Sequence, residues 1–69
     1  MLLPNGSMIH NDVIESFKRA VENNENIESG EINWNFVESD MFMDLRMFYA
    51  SEYIIECFDV LADNLEGVA

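Results

Sequence analysis

In the last third of the chain, Ile54, Phe58, Leu61 and Leu65 recur at steps of four, three and four residues, and Glu52, Glu56, Asp59, Asp63 and Glu66 keep the same rhythm two residues earlier. At about 100° per residue, the apolar set spans roughly 60° of a helix and the acidic set roughly 80° directly opposite. The pattern predicts a helix over about residues 51–66, with Ser51 as its cap and Gly67 just beyond its end. Tyr53, Cys57 and Val60 widen the apolar part on one flank, and Ile55 and Ala62 on the other. That width predicts the most buried helix, at the centre of the fold or of a dimer.

Val13, Ile14, Phe17, Ala20 and Val21 share one helical face after Asn11, which is a good N-cap, so a first helix is expected over about 11–24. Glu15 stands three and four residues before Lys18 and Arg19, and Lys18 four before Glu22, so helical neighbours can neutralise these bases. Between Asn23 and Gly30 the periodicity stops and polar residues indicate a loop. The middle of the chain carries two signals. Ile32, Trp34 and Phe36 alternate like a short strand, whereas Trp34, Val37, Met41, Leu45 and Phe48 keep helical spacing. A lone strand leaves its backbone hydrogen bonds unmade, which favours the helix, capped by Asn33 and open to a break near Ser39-Asp40. The expected fold is all-α, a small bundle of three helices, or four if the middle one breaks, with the C-terminal helix central. Residues 1–7 have turn composition, and Gly6-Ser7-Met8 reads like a cloning junction; they are expected to be a flexible N-terminus or remnant, leaving 8–69 as a single domain.

A chain of 69 residues buries only about 60% of its unfolded surface and has a thin core. Its 49% hydrophobic content and eight aromatic residues nevertheless point to a packed domain, with apolar surface left over for a second copy or a partner. The single cysteine rules out an intrachain disulfide and suits a reducing, cytoplasmic setting. No apolar run approaches a membrane span of about 18 residues, so a soluble protein is expected. Charge is uneven. Residues 1–22 hold three acids and two bases, whereas residues 23–69 hold eleven acids and one base, giving −1 and −10 of the net −11. Such a surface repels nucleic acid and anionic lipid and attracts basic protein surfaces.

Individual candidates for chemistry are weak. His10, the only histidine, has no partner implied by the pattern, and Cys57 has no base in the same turn to lower its pKa, so neither supports catalysis. The loop from Asn24 to Gly30 places oxygen donors like a calcium loop, yet its glycine comes seventh where an EF-hand needs it sixth, and Asn35 stands where a bidentate Glu is required. Asp40 with Asp44, and Glu52 with Glu56, are exposed carboxylate pairs of the kind usually left solvated. No metal or cofactor is expected. Met41, Met43 and Met47, interleaved with Phe42, Phe48 and Tyr49, put apolar side chains on every side of a helix; part of the segment is core, and Met43, Met47, Phe48 and Tyr49 are the candidates for an apolar interface. Arg46 can pair with Asp44, Glu38 or a partner's acid.

With fourteen acids and three bases, a run of acids is unsurprising by sign, so the placement of the acidic edge carries the information. Its carboxylates step about 4.5 to 6 Å along some 21 Å of helix axis, like phosphates along a nucleic-acid strand. In size and charge the chain resembles the small acidic proteins that phages use against restriction and CRISPR systems. That resemblance is one of composition, with no motif, and it implies a nucleic-acid mimic acting in the host cytoplasm. The expected function is a non-enzymatic inhibitor whose acidic surface occupies a basic, nucleic-acid-binding groove of another protein. Glu52, Glu56, Asp59, Asp63 and Glu66 would make the contact, with Glu38, Asp40 and Asp44 as a second patch. The rival expectation is a helical assembly module that dimerises through its Met/aromatic segment and uses its acids for solubility.

Overall fold

The computed structural model describes residues 1–67 and contains three helices, α1 (Asn11–Asn23), α2 (Trp34–Leu45) and α3 (Ser51–Gly67). The fold is the expected all-α bundle. Strand-like pairing among the described residues is limited to two isolated antiparallel bridges, Leu2–Met8 and Glu25–Ile32. The radius of gyration of 11.7 Å is close to the value of about 11 Å for a packed chain of this length.

In α1, Val13, Phe17 and Ala20 are buried on the predicted face, while Asp12, Glu15, Lys18, Arg19 and Glu22 are exposed. Asn11 is the first helical residue rather than the cap. His10 holds the cap position in extended conformation without a side-chain cap bond. At the other end, Asn24 Nδ2 donates to the Ala20 carbonyl at 2.8 Å and to the Asp40 carboxylate at 2.7 Å, closing α1 and tying it to α2. The loop then folds on itself. Asn26 Oδ1 accepts from the Glu28 and Ser29 N–H groups, and Gly30, at φ +75°, donates its N–H to the Asn26 carbonyl. Only glycine adopts that conformation at low cost, which accounts for its position in the loop.

The conflict of signals around Ile32 resolves into both elements. Ile32 makes a single bridge to Glu25, and the helix begins two residues later at Trp34, its first turn closed onto the Asn33 carbonyl. Asn33 is therefore the N-cap residue, although its side chain makes no cap bond. The break near Ser39-Asp40 does not occur. After Leu45 the chain leaves α2 in a turn in which the Phe48 and Tyr49 N–H groups donate to the Leu45 carbonyl. At α3 the Ile54 N–H donates to the Ala50 carbonyl, so the first turn is closed from Ala50, with Ser51 already helical.

The core joins all three helices. Val37, Met41 and Leu45 from α2 and Ile54, Cys57, Phe58 and Leu61 from α3 pack with the buried face of α1. Phe17, Trp34 and Phe58, one from each helix, sit 6.3 to 6.4 Å apart, Phe17 stacked on Trp34 and both edge-on to Phe58. Helix α3 meets both other helices, but the most extensive helix pair is α1 with α2. Helix α3 is therefore not the most buried, central helix that its apolar width predicted: its carboxylate edge stays in solvent, and it packs as one wall of the core with one long face open.

The first seven residues, expected from composition to be flexible or a remnant, fold back on the bundle, and Leu3 among them is buried together with Ile9 just after them. Leu3, 3% exposed, and Ile9, 2% exposed, are core residues. Around them the Leu3 N–H donates to the Ser7 carbonyl, the Gly6 N–H to the Leu3 carbonyl and the Ile9 N–H to the Met1 carbonyl, with Gly6 at φ +88°. The turn residues fold the segment back and bring two of its apolar side chains, Leu3 and Ile9, onto the bundle, while Met1, Leu2 and Met8 stay exposed. Tyr53 pins it from α3, its hydroxyl donating to the Met8 carbonyl at 2.8 Å and accepting from the His10 N–H at 3.0 Å.

Candidate functional site

Because Ile54, Phe58 and Leu61 hold α3 against the core, the opposite edge of the helix faces solvent. Glu52, Glu56, Asp59, Asp63 and Glu66 are all exposed along it. Among the described residues the one ion pair lies elsewhere, between Arg19 and Asp44, so none of the five has a base within 4 Å. Neighbouring carboxylates on a helix repel by a few tenths of a kcal/mol per pair, and among the described residues no base is paired with them to offset that repulsion. Pro4 and Asn5 of the N-terminal turn come alongside Glu56 and Asp59, shaping one margin of the row.

The second acidic patch is differently disposed. Asp44 accepts from the buried Ser16 hydroxyl at 2.8 Å and from Arg19 at 3.0 Å. Asp40 accepts from Asn24. Both carboxylates lock α1 to α2, and only Glu38 of the three is exposed without such a bond. Arg19 therefore pairs across helices, where sequence spacing suggested Glu15, and Arg46 forms no ion pair among the described residues.

The Met/aromatic segment divides sharply. Met41 and Leu45 are buried and Phe42 is half-buried, whereas Met43, Met47 and Phe48 are 59%, 85% and 78% exposed. Phe36, 59% exposed, shares the outer face of α2 with Met43. Tyr49 is half-buried, its ring 5.4 Å from Tyr53 and 5.5 Å from His10, and its hydroxyl donates to Asp12 at 3.4 Å. His10 is thus held against two tyrosines rather than standing free. Sequence reasoning missed this cluster, although Tyr49 and Tyr53, the only tyrosines, lie four residues apart, one in the turn before α3 and one in its first turn.

Burial raises the hydroxyl pKa of Tyr49, with the Asp12 carboxylate adding to the effect, and burial also raises that of Tyr53, partly opposed by the His10 N–H. Cys57 is fully buried, and burial pushes its thiol up as well, with Tyr53 opposing and Glu56 reinforcing. A raised pKa is the reverse of what an attacking thiol needs. Among the described residues, no three His, Cys, Asp or Glu side chains converge as metal ligands, and no helix is long and apolar enough to cross a membrane. Fold and surface together define a small acidic three-helix domain with an unpaired carboxylate row on one helix. No family model, curated protein or solved structure matches this chain.

Proposed function

We propose that the protein is a non-enzymatic binding protein whose α3 carboxylate row occupies a basic, nucleic-acid-binding groove of a partner protein. The observation that carries this reading is the exposed, unpaired row Glu52, Glu56, Asp59, Asp63 and Glu66. Its charges are spaced about 4.5 to 6 Å over some 21 Å of rigid helix, somewhat wider than the 3.4 Å per phosphate of one DNA strand. Lys and Arg side chains placed to neutralise phosphates would find acceptors along the same line. The row is self-repelling in the free protein, so cations from a partner also relieve strain between the carboxylates. Asp40 and Asp44, already bonded within the fold, have a smaller part in this contact than Glu38.

Such an interface associates quickly and weakens steeply with salt. The test is the affinity of the wild-type protein and of E56Q/D59N/D63N for the partner across a salt series, with helicity followed by circular dichroism. Loss of binding with helicity intact is the expected result. Unchanged affinity in the triple variant, or wild-type binding that persists undiminished to high salt, contradicts the proposal.

A further inference from the structure

The acidic row starts at Glu52, and the turn leading into it holds Met47 and Phe48, 85% and 78% exposed, with Met43, 59% exposed, on the last turn of α2 before it. Phe48 also walls a groove between this turn and α1. Leu45 and Tyr49 continue its apolar side, and Asp12, Glu15, Asp44 and Arg19 line it as well. Arg19 is engaged with Asp44. The groove charge that remains is that of Asp12 and Glu15, set beside aromatic rings, while Arg46 in the adjoining turn is exposed and forms no ion pair among the described residues.

An apolar patch of this kind is covered either by a second copy or by a different partner, and charge separates the two. In a twofold dimer the same patch meets itself, so Asp12 and Glu15 would approach their own counterparts between two chains of net charge −11. A basic amphipathic helix meets both features. Its apolar side chains would lie on Met43, Met47 and Phe48, where flexible thioethers adapt to shape, and its Lys or Arg side chains would reach Asp12 and Glu15 with the rings of Phe48 and Tyr49 alongside. We infer that the α2–α3 turn docks a basic amphipathic helix of the partner, adding an apolar anchor to the ionic contact of α3. The inference rests on the reading of that row as the ionic contact. Ionic contacts speed encounter, while buried apolar anchors hold the complex and select the partner.

Two synthetic peptides of equal length and equal lysine count test it by calorimetric titration of the full chain: a Leu/Lys amphipathic helix and a Lys/Gln control. The wild-type protein is expected to prefer the Leu/Lys peptide by about tenfold, and M47S/F48S to lose that preference while binding the control as before. Both substituted side chains are exposed, and circular dichroism checks that the variant is folded. Equal affinity for the two peptides, or a preference that survives in M47S/F48S, overturns the docking surface. So does a dimer in sedimentation that M47S/F48S dissociates, since the patch then belongs to a second copy. Control-peptide binding that ignores E56Q/D59N/D63N would instead count against the α3 row, and the M47S/F48S comparison would still decide the docking surface.

Discussion

Neutralising the middle of the acidic row should make the protein more stable while removing its proposed function. The neighbouring pairs along α3 are Glu52–Glu56, Glu56–Asp59, Asp59–Asp63 and Asp63–Glu66, and each contains at least one of Glu56, Asp59 and Asp63. The variant E56Q/D59N/D63N therefore abolishes every one of these repulsions. Gln and Asn have helix propensities close to those of Glu and Asp, so propensity contributes little. At about 0.2 to 0.5 kcal/mol per pair, the expected gain is roughly 1 to 2 kcal/mol, or about 7 to 14 °C in Tm for a domain of this size. Denaturant titration at low salt, followed by Trp34 fluorescence, measures it, because Trp34 packs against both Phe17 and Phe58 at the meeting of the three helices. In about 1 M salt the Debye length falls to roughly 3 Å, and most of the difference should disappear. A variant no more stable than wild type at low salt would refute the reasoning, because the carboxylates would then have stabilising partners.

Burial makes three further predictions specific. Leu3→Ala and Met41→Ala each remove a side chain at most 3% exposed and should cost about 2 to 5 kcal/mol, whereas Met43→Ala, on the open face of the same helix as Met41, should stay within about 0.5 kcal/mol in the same denaturant titration. Asp44→Ala should cost about 1 to 3 kcal/mol because it strands the buried Ser16 hydroxyl, while Arg19→Ala, which removes only an exposed ion pair, should cost less than about 1 kcal/mol in thermal unfolding. The folded protein holds Cys57 protonated to a higher pH than the unfolded chain does, so above the ordinary thiol value of about 8.5 the unfolded state binds fewer protons and stability falls. The decline approaches about 1.4 kcal/mol per pH unit until the folded thiol itself ionises, and the difference in stability between Cys57→Ala and wild type as a function of pH isolates it from the tyrosines.

The helices and the acidic row could be read from the chain because both depend on periodicity. Ile54, Phe58 and Leu61 announce the core face of α3, and the exposed carboxylates follow by geometry on the opposite side. Leu65, in the same stripe, is 43% exposed, because periodicity gives a side chain's direction without saying where the neighbouring helix ends. Features made by single contacts between distant residues were not legible. Nothing local says that Leu3 packs in the core, that Asp44 is held by Ser16 and Arg19 across helices, or that His10 rests on Tyr49 and Tyr53. The N-terminal turn was misjudged for a related reason. Pro4, Asn5 and Gly6 have the composition of a disordered end and equally that of a tight turn, and only the burial of Leu3 and Ile9 distinguishes them. The apolar segment from Met41 to Tyr49 showed its excess of hydrophobic residues in sequence, but which side chains were surplus depended on where α1 and α3 lie.

The central claim is that the α3 row takes the place of nucleic acid in a partner's groove. The direct measurement is the fluorescence anisotropy of a labelled nucleic acid bound to a partner captured from the native host, titrated with the wild-type protein and with E56Q/D59N/D63N. The wild type is expected to release the label in a salt-dependent manner and the triple variant to leave it bound. A partner that keeps its nucleic acid while saturated with the wild-type protein would contradict it.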